Sequence, residues 1–255
     1  MEAGRGDHVG LVNDEDLVAV ANRGERGAFT EIPGIVHTAV AGGIDLDHIQ
    51  RTRTAAGKLD AVFDAIRNKW GRLDLVFHSI AWARKEDLHG RLTDCSADGF
   101  AESMLISCHS FIRMAKLAEP LMDKGGSLMT LSFYGAEKVV DHYNVMGPVK
   151  AALEASVRYL AHELGPKNIR VNAISAGAVA TRAASGIAHF DDLLNETMRD
   201  APLRRSIDSC EIGRTALLLA SDYTTAVTGE ILYADAGFHI EGMAFTECGG
   251  ARRSP

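Results

Sequence analysis

Tyr143-Asn-Val-Met-Gly-Pro-Val-Lys150 sets an aromatic hydroxyl seven positions before a lysine, at the start of a helical run that continues to about Leu164. Pro148 is tolerated in a helix only near its first turn, so the helix begins just ahead of it and Tyr143 lies close to its N-terminal end. Seven residues is close to two helical turns, which predicts that Tyr143 and Lys150 share one face. An ammonium held near a phenol lowers the phenol's pKa and makes it a better donor. The plain alternative is an amphipathic helix carrying a tyrosine and a lysine at its wet edge.

The flanking segments decide what this helix belongs to. Before it, Gly125-Gly126 turns the chain into the apolar run Ser127-Leu-Met-Thr-Leu-Ser132. After it, Gly165-Pro166 stops the helix and Ile169-Arg-Val-Asn-Ala-Ile174 follows as another strand. Apolar residues at 59, 62, 63, 66 and 70 form a helical stripe, followed by the buried strand Leu73-Asp-Leu-Val-Phe-His-Ser-Ile80. Residues 97 to about 122 read as one long helix. Small or soft residues along it (Ala101, Ser103, Met104, Ser107, Cys108, Met114, Ala115) suit close packing against another helix. Further on come a glycine- and alanine-rich stretch from Ser175 to about His189, helices at about 191–199 and 210–221, and the strand Glu230-Ile-Leu-Tyr-Ala-Asp235. Strands alternating with helices predict a doubly wound parallel sheet, a Rossmann-like α/β fold covered on both faces.

With 255 residues, 46% of them hydrophobic, the chain is long enough for one large domain with a sizeable core. The net charge of −7, with no basic block beyond Arg252-Arg253, argues against nucleic-acid binding. No apolar run approaches a membrane span, and no signal-peptide core opens the chain. The four cysteines (Cys95, Cys108, Cys210, Cys248) lack zinc-binding spacing, so no metal site is expected. Reduced thiols in a cytoplasmic protein are the plain reading.

Residues 1–57 differ from the rest: they contain no Lys, Tyr, Trp or Cys, and Phe29 is their one Phe, Tyr or Trp. Runs such as Leu17-Val-Ala-Val20 allow a few weak strands. Gly24, Gly27, Gly42 and Gly43 read as turns, because none follows a strand and opens a helix as a nucleotide-binding turn would. The break in composition sets residues 1–57 apart from a regular α/β region over 58–245 and a tail over 246–255.

Ligands of open parallel sheets bind beyond the carboxyl ends of the strands. Three strands here end in His78-Ser-Ile-Ala81, Ser132-Phe-Tyr-Gly135 and Ser175-Ala-Gly-Ala-Val-Ala-Thr181, all converging on the start of the Tyr143 helix. Alone, Ser79 reads as a strand cap, and Thr181 is as readily a turn hydroxyl as a ligand contact.

Together with Gly135-Ala-Glu137, Tyr143-Asn-Val-Met-Gly147 with Lys150, Arg170-Val-Asn-Ala-Ile-Ser-Ala-Gly177 and Ala184-Ser-Gly-Ile187, these motifs make residues 58–245 similar to the enoyl-[acyl-carrier-protein] reductases. These form the divergent branch of the short-chain dehydrogenase/reductase family. Ordinary short-chain reductases carry the lysine four positions after the tyrosine; here that position is Gly147. The resemblance implies hydride transfer from NADH to the β-carbon of a trans-2-enoyl thioester on acyl carrier protein, in fatty-acid synthesis. Tyr143 would then donate to the enolate oxygen, and Lys150 would hold the nicotinamide ribose. Ser79, Ile80 and Ala81 would border the cofactor, with Val179, Ala180, Thr181, Arg182 and Ala183 along its nicotinamide and pyrophosphate side. Ala83 and Ile187 would approach the acyl group, and a lid over about 184–199 would exclude water. The long helices 97–122 and 145–164 resemble those of the family's tetramer interface, which implies a homotetramer.

The sequence departs from the family at three places. Phe133 stands where the family has a second active-site tyrosine, which removes one donor. Ala178 replaces a proline, and residues 1–57, which do not match the family, lack the glycine-rich turn that lies under the pyrophosphate. The resemblance thus implies a catalytic domain over 58–245 whose first βαβ half is missing or replaced, either by other cover or by a non-native N-terminus. Two other readings follow: a subunit that assembles without binding cofactor, and a short-chain reductase acting on a carbonyl, which the Tyr143–Lys150 spacing disfavours. Arg182, Arg204 and Arg205 are candidates for docking the acidic carrier, although a solvated turn is the plainer role for the arginine pair.

Overall fold

The computed structural model describes residues 18–21, 58–179 and 190–242. Five strands form one sheet in the order β1 (Val18–Ala21), β2 (Leu75–His78), β3 (Gly126–Phe133), β4 (Ile169–Ala176) and β5 (Ile231–Ala234). Strands β2 to β5 run parallel, and β3 pairs with β4 from Gly126↔Ile169 to Phe133↔Ala176. Every residue of β4 up to Ser175 is buried, the polar Arg170 and Asn172 included.

One face is covered by α1 (Lys58–Trp70), the run from α3 (Ala97–Met104) to α4 (Ser110–Ala118), and α5 (Met146–Leu164). Phe63, Phe111, Leu128, Leu153 and Val171 meet in that core. The other face is covered by α7 (Ser209–Ala220), where Ile212, Ala216 and Leu219 pack on Phe77, Met129 and Ile174. The remaining helices are the short α2 (Lys85–Leu88) and α6 (Phe190–Asp200). The helix starts use local chemistry. Ser96 caps α3 by accepting from Gly99 N–H, and Asp208 and Glu211 form a capping box on α7.

Four expectations need adjusting. The strand beside β2 runs antiparallel to it, pairing Val18 with His78 and Ala21 with Leu75. A parallel first strand is thus replaced at this edge. The region expected to be one helix over 97–122 is interrupted by a π-helical turn, Leu105–His109, and closes in a 3₁₀ turn, Glu119–Leu121. The strand expected over 73–80 is shorter, β2 ending at His78. Helix α5 starts at Met146, so Tyr143 lies in the turn before it rather than on it. His142 and Asn144 flank Tyr143 with φ of 63° and 45°, a left-handed backbone that no helix continues. The Asn144 amide donates to the carbonyls of Leu88 and Gly90 (3.2 and 2.6 Å), tying this turn to the segment after α2. Gly24, Gly27, Gly42, Gly43 and the start of the lid lie outside the described residues.

The motif Arg170-Val-Asn172 is explained by the fold. The Arg170 guanidinium donates to the Leu219 and Ser221 carbonyls at the end of α7, a cation where helix carbonyls point outward. Asn172 donates to Val227 O and accepts from Glu230 N–H, aligning the return into β5.

Candidate active site

Three of the expected residues converge on the carboxyl end of β3. The Tyr143 and Phe133 rings pack with centroids 4.7 Å apart at an interplanar angle of 52°. Two residues earlier, the carbonyl of Leu131 accepts from Lys150 Nζ at 2.7 Å. Tyr143 and Lys150 are 6% and 5% exposed. Gly135 makes room for this arrangement: a Cβ there would stand 2.4 Å from Tyr143 Cδ1. Gly147 has a similar part, since a Cβ there would lie 3.2 Å from the Gly135 carbonyl oxygen. Any side chain at position 147 would need that carbonyl to give by a few tenths of an ångström.

The electrostatics correct one expectation. The Tyr143 phenol is pushed well above its ordinary pKa, by burial first and by the charge of Glu154 second. In this geometry the tyrosine is a neutral hydroxyl donor, not a phenol acidified by lysine. Lys150 moves the opposite way: burial lowers it to about 8, with Cys108 and Glu154 holding it up.

Glu154 is a residue that sequence reading missed. It stands one helical turn after Lys150 and accepts a hydrogen bond from the Ser132 hydroxyl. Burial raises its pKa, an effect opposed by Ser132 and Arg158. A carboxylate at i+4 from the lysine was a readable signal, but its contact with β3 was not.

The segment after β2 is built around buried polar contacts. His78 is fully buried between Thr130 (Nδ1, 2.8 Å) and Ser110 (Nε2, 2.8 Å). The Ser110 hydroxyl spends its one hydrogen on Ile106 O, so it accepts from His78 Nε2–H, and Nδ1 accepts from Thr130. Burial lowers this imidazole to about 3, so it is neutral and structural. Ser107, in the π-helical turn, accepts from Trp82 N–H and donates to Trp82 C=O, which fixes the chain just beyond Ser79, Ile80 and Ala81. Those three residues are partly exposed, whereas Ala83 is wholly buried in the core. Val179 packs beside the α7 core. Ala180, Thr181, Arg182, Ala183 and Ile187 lie outside the described residues.

The described residues fit a nicotinamide cofactor at this edge. Lys150 uses one of its three N–H donors on Leu131, and the others suit ribose hydroxyls. Ser175 Oγ, at the carboxyl end of β4, is buried without a hydrogen-bond partner among the described residues. Among those same residues no cluster could hold a metal ion, and no helix is long and apolar enough to cross a membrane. Arg205 pairs with Glu211 at 2.7 Å, and Arg204 donates to Arg199 O, so both arginines of the turn are engaged within the chain.

A family model described as enoyl-(acyl carrier protein) reductase matches residues 31–239. The chain belongs to that family. The match starts ahead of residue 58, so it takes in part of the segment with unusual composition. This family member is 52% identical over 190 residues to enoyl-[acyl-carrier-protein] reductase [NADH] 1 of Rhizobium meliloti, covering 74% of this chain and 70% of that one. It is 49% identical to the NADH enoyl-[acyl-carrier-protein] reductase FabI of Nostoc sp., covering 73% and 72%. Among solved structures, the enoyl-(acyl-carrier-protein) reductase of Anaplasma phagocytophilum in complex with NAD superimposes with a TM-score of 0.72 at 50% identity. That superposition covers 75% of this chain and 73% of that one. The enzyme (NADH) of Aquifex aeolicus gives 0.71 at 44% identity, over 73% of each chain. The Rossmann-like α/β assignment is thereby borne out.

Proposed function

We propose that this family member reduces trans-2-enoyl-acyl-carrier-protein with NADH, as its relatives' names state of them. The observation that carries the reading is the convergence of Tyr143, Phe133 and Lys150 on the end of β3, in a chain half identical to NADH-dependent reductases. When bound, NADH supplies the hydride. Tyr143, kept neutral by burial, donates to the oxygen on which enolate charge develops. Lys150 holds the ribose hydroxyls with the donors that Leu131 leaves over. Ser79, Ile80 and Ala81 would border the cofactor, Val179, Ala180, Thr181, Arg182 and Ala183 would follow its nicotinamide and pyrophosphate side, and Ile187 would approach the acyl group, with the buried Ala83 behind that wall rather than on it. Phe133 contributes shape beside Tyr143 without a donor.

We infer a catalytic domain over 58–245, a cytoplasmic location and a homotetramer. Supporting the tetramer, Leu105 and Tyr159 on the long helices are 49% and 72% exposed. One observation favours a second reading, a subunit that assembles without cofactor: β1 is antiparallel where a nucleotide-binding start supplies a parallel strand. Thermal denaturation with and without saturating NADH separates the two. A cofactor that binds the folded chain raises its midpoint by mass action, and an unchanged midpoint supports the second reading.

A further inference from the structure

We propose that Glu154, docked on the Ser132 hydroxyl, is a positioning residue that keeps the Lys150 side chain in its ammonium form. The inference rests on the reading of Lys150 as the ribose-holding residue.

Lys150 and Glu154 are one turn apart on α5, and they dock on consecutive residues of β3: Lys150 on the Leu131 carbonyl and Glu154 on the Ser132 hydroxyl. Strand and helix therefore hold both charges at one sheet edge. Lys150 is 5% exposed, and its ammonium is seated on the Leu131 carbonyl at 2.7 Å. An ammonium so placed has lost most of its hydration, which favours the neutral amine, and the Leu131 carbonyl dipole offsets only part of that loss. A neutral amine would lose the positive charge that holds ribose.

The groups facing Lys150 come from four directions. His78 on β2 is neutral and feels the lysine as a neighbouring cation. Cys108 lies on the π-helical turn and Leu131 on β3, and Glu154 is on α5 itself. Glu154 is the one carboxylate in this set. Its own surroundings include Arg158 on α5, Glu137 beyond the turn after β3, and Lys150. Its charge reaches Tyr143 and Tyr233 as well. The Ser132 hydrogen bond holds its carboxylate against β3.

The test reads Lys150 directly and does not depend on turnover. The full chain is labelled at lysine Cε, and the Lys150 resonance is assigned by its loss in Lys150→Met and followed by NMR against pH. Its midpoint is expected near about 8 in the unaltered chain. Glu154→Gln is expected to lower it by roughly half a pH unit or more, and Glu154→Asp to leave it close to the unaltered value. If Glu154→Gln does not fold, Ser132→Ala releases the carboxylate while keeping its charge, and a smaller shift in the same direction is expected. An unmoved midpoint in a folded Glu154→Gln, or in Ser132→Ala where that variant stands in, overturns the proposal. NADH binding by Lys150→Met would overturn the ribose-holding reading alone, leaving the titration result to judge Glu154.

Discussion

The Lys150 ammonium donates to the carbonyl oxygen of Leu131 at 2.7 Å, two residues before the Phe133 ring that packs on Tyr143. The last residues of β3 thus seat both members of the reactive pair, the lysine through backbone and the tyrosine through a side chain. The two do not depend on lying along one helix face.

Tyr143→Phe keeps the ring contact and removes the hydroxyl proposed to meet the developing charge. Turnover of an enoyl thioester is expected to fall about 10²- to 10⁴-fold with NADH affinity little changed. Lys150→Met is expected to weaken NADH binding itself. Steady-state kinetics with a titration of NADH binding distinguish the two patterns.

Phe133→Tyr restores a hydroxyl next to Tyr143. A hydrogen bond to a charged group contributes about 1.5–3 kcal/mol, so kcat/KM is expected to rise roughly ten-fold or more. Competition assays between the two forms on one thioester substrate measure this. A rate at or below the starting value would show that the added hydroxyl does not reach the oxyanion.

Gly135→Ala brings a methyl to 2.4 Å from the Tyr143 ring. Either the ring or the 3₁₀ turn Tyr134–Ala136 must move, and overpacking of this kind costs about 1–3 kcal/mol. A lower denaturation midpoint together with lost turnover is expected. Gly165→Ala, where a Cβ meets nothing within 4 Å, serves as the control.

These predictions also mark what could be read without coordinates. Strands β3 and β4 were legible because Gly125-Gly126 and Gly165-Pro166 set off the runs Ser127–Ser132 and Ile169–Ile174 that follow them. The π-helical turn at Leu105–His109 was not, since one wider turn leaves the spacing of apolar residues nearly unchanged. The start of α5 was misplaced because the left-handed backbone at His142 and Asn144 has no strong sequence signature. Glu154 was overlooked because its partner Ser132 is 22 positions away, a contact made only once helix and sheet are packed.

His78 gives a pH prediction. Its folded pKa of about 3 lies below the ordinary 6.5, so between these values the unfolded chain takes up a proton that the folded chain does not. This contribution to stability is present above pH 6.5 and is lost as pH falls toward 3, at about 1.4 kcal/mol per pH unit. Denaturant titrations of the unaltered chain and His78→Gln should show their stability difference shrinking over that window. A difference constant with pH would mean that His78 is not held neutral by burial.

The central claim is that Tyr143 and Lys150 meet NADH and an enoyl thioester at the end of β3. NADH oxidation by the purified chain with a crotonyl thioester of acyl carrier protein tests it most directly. The account predicts steady oxidation that Tyr143→Phe lowers about 10²- to 10⁴-fold and that Lys150→Met lowers through weaker NADH binding; no oxidation by a chain that is folded, or oxidation unaffected by Tyr143→Phe, would contradict it.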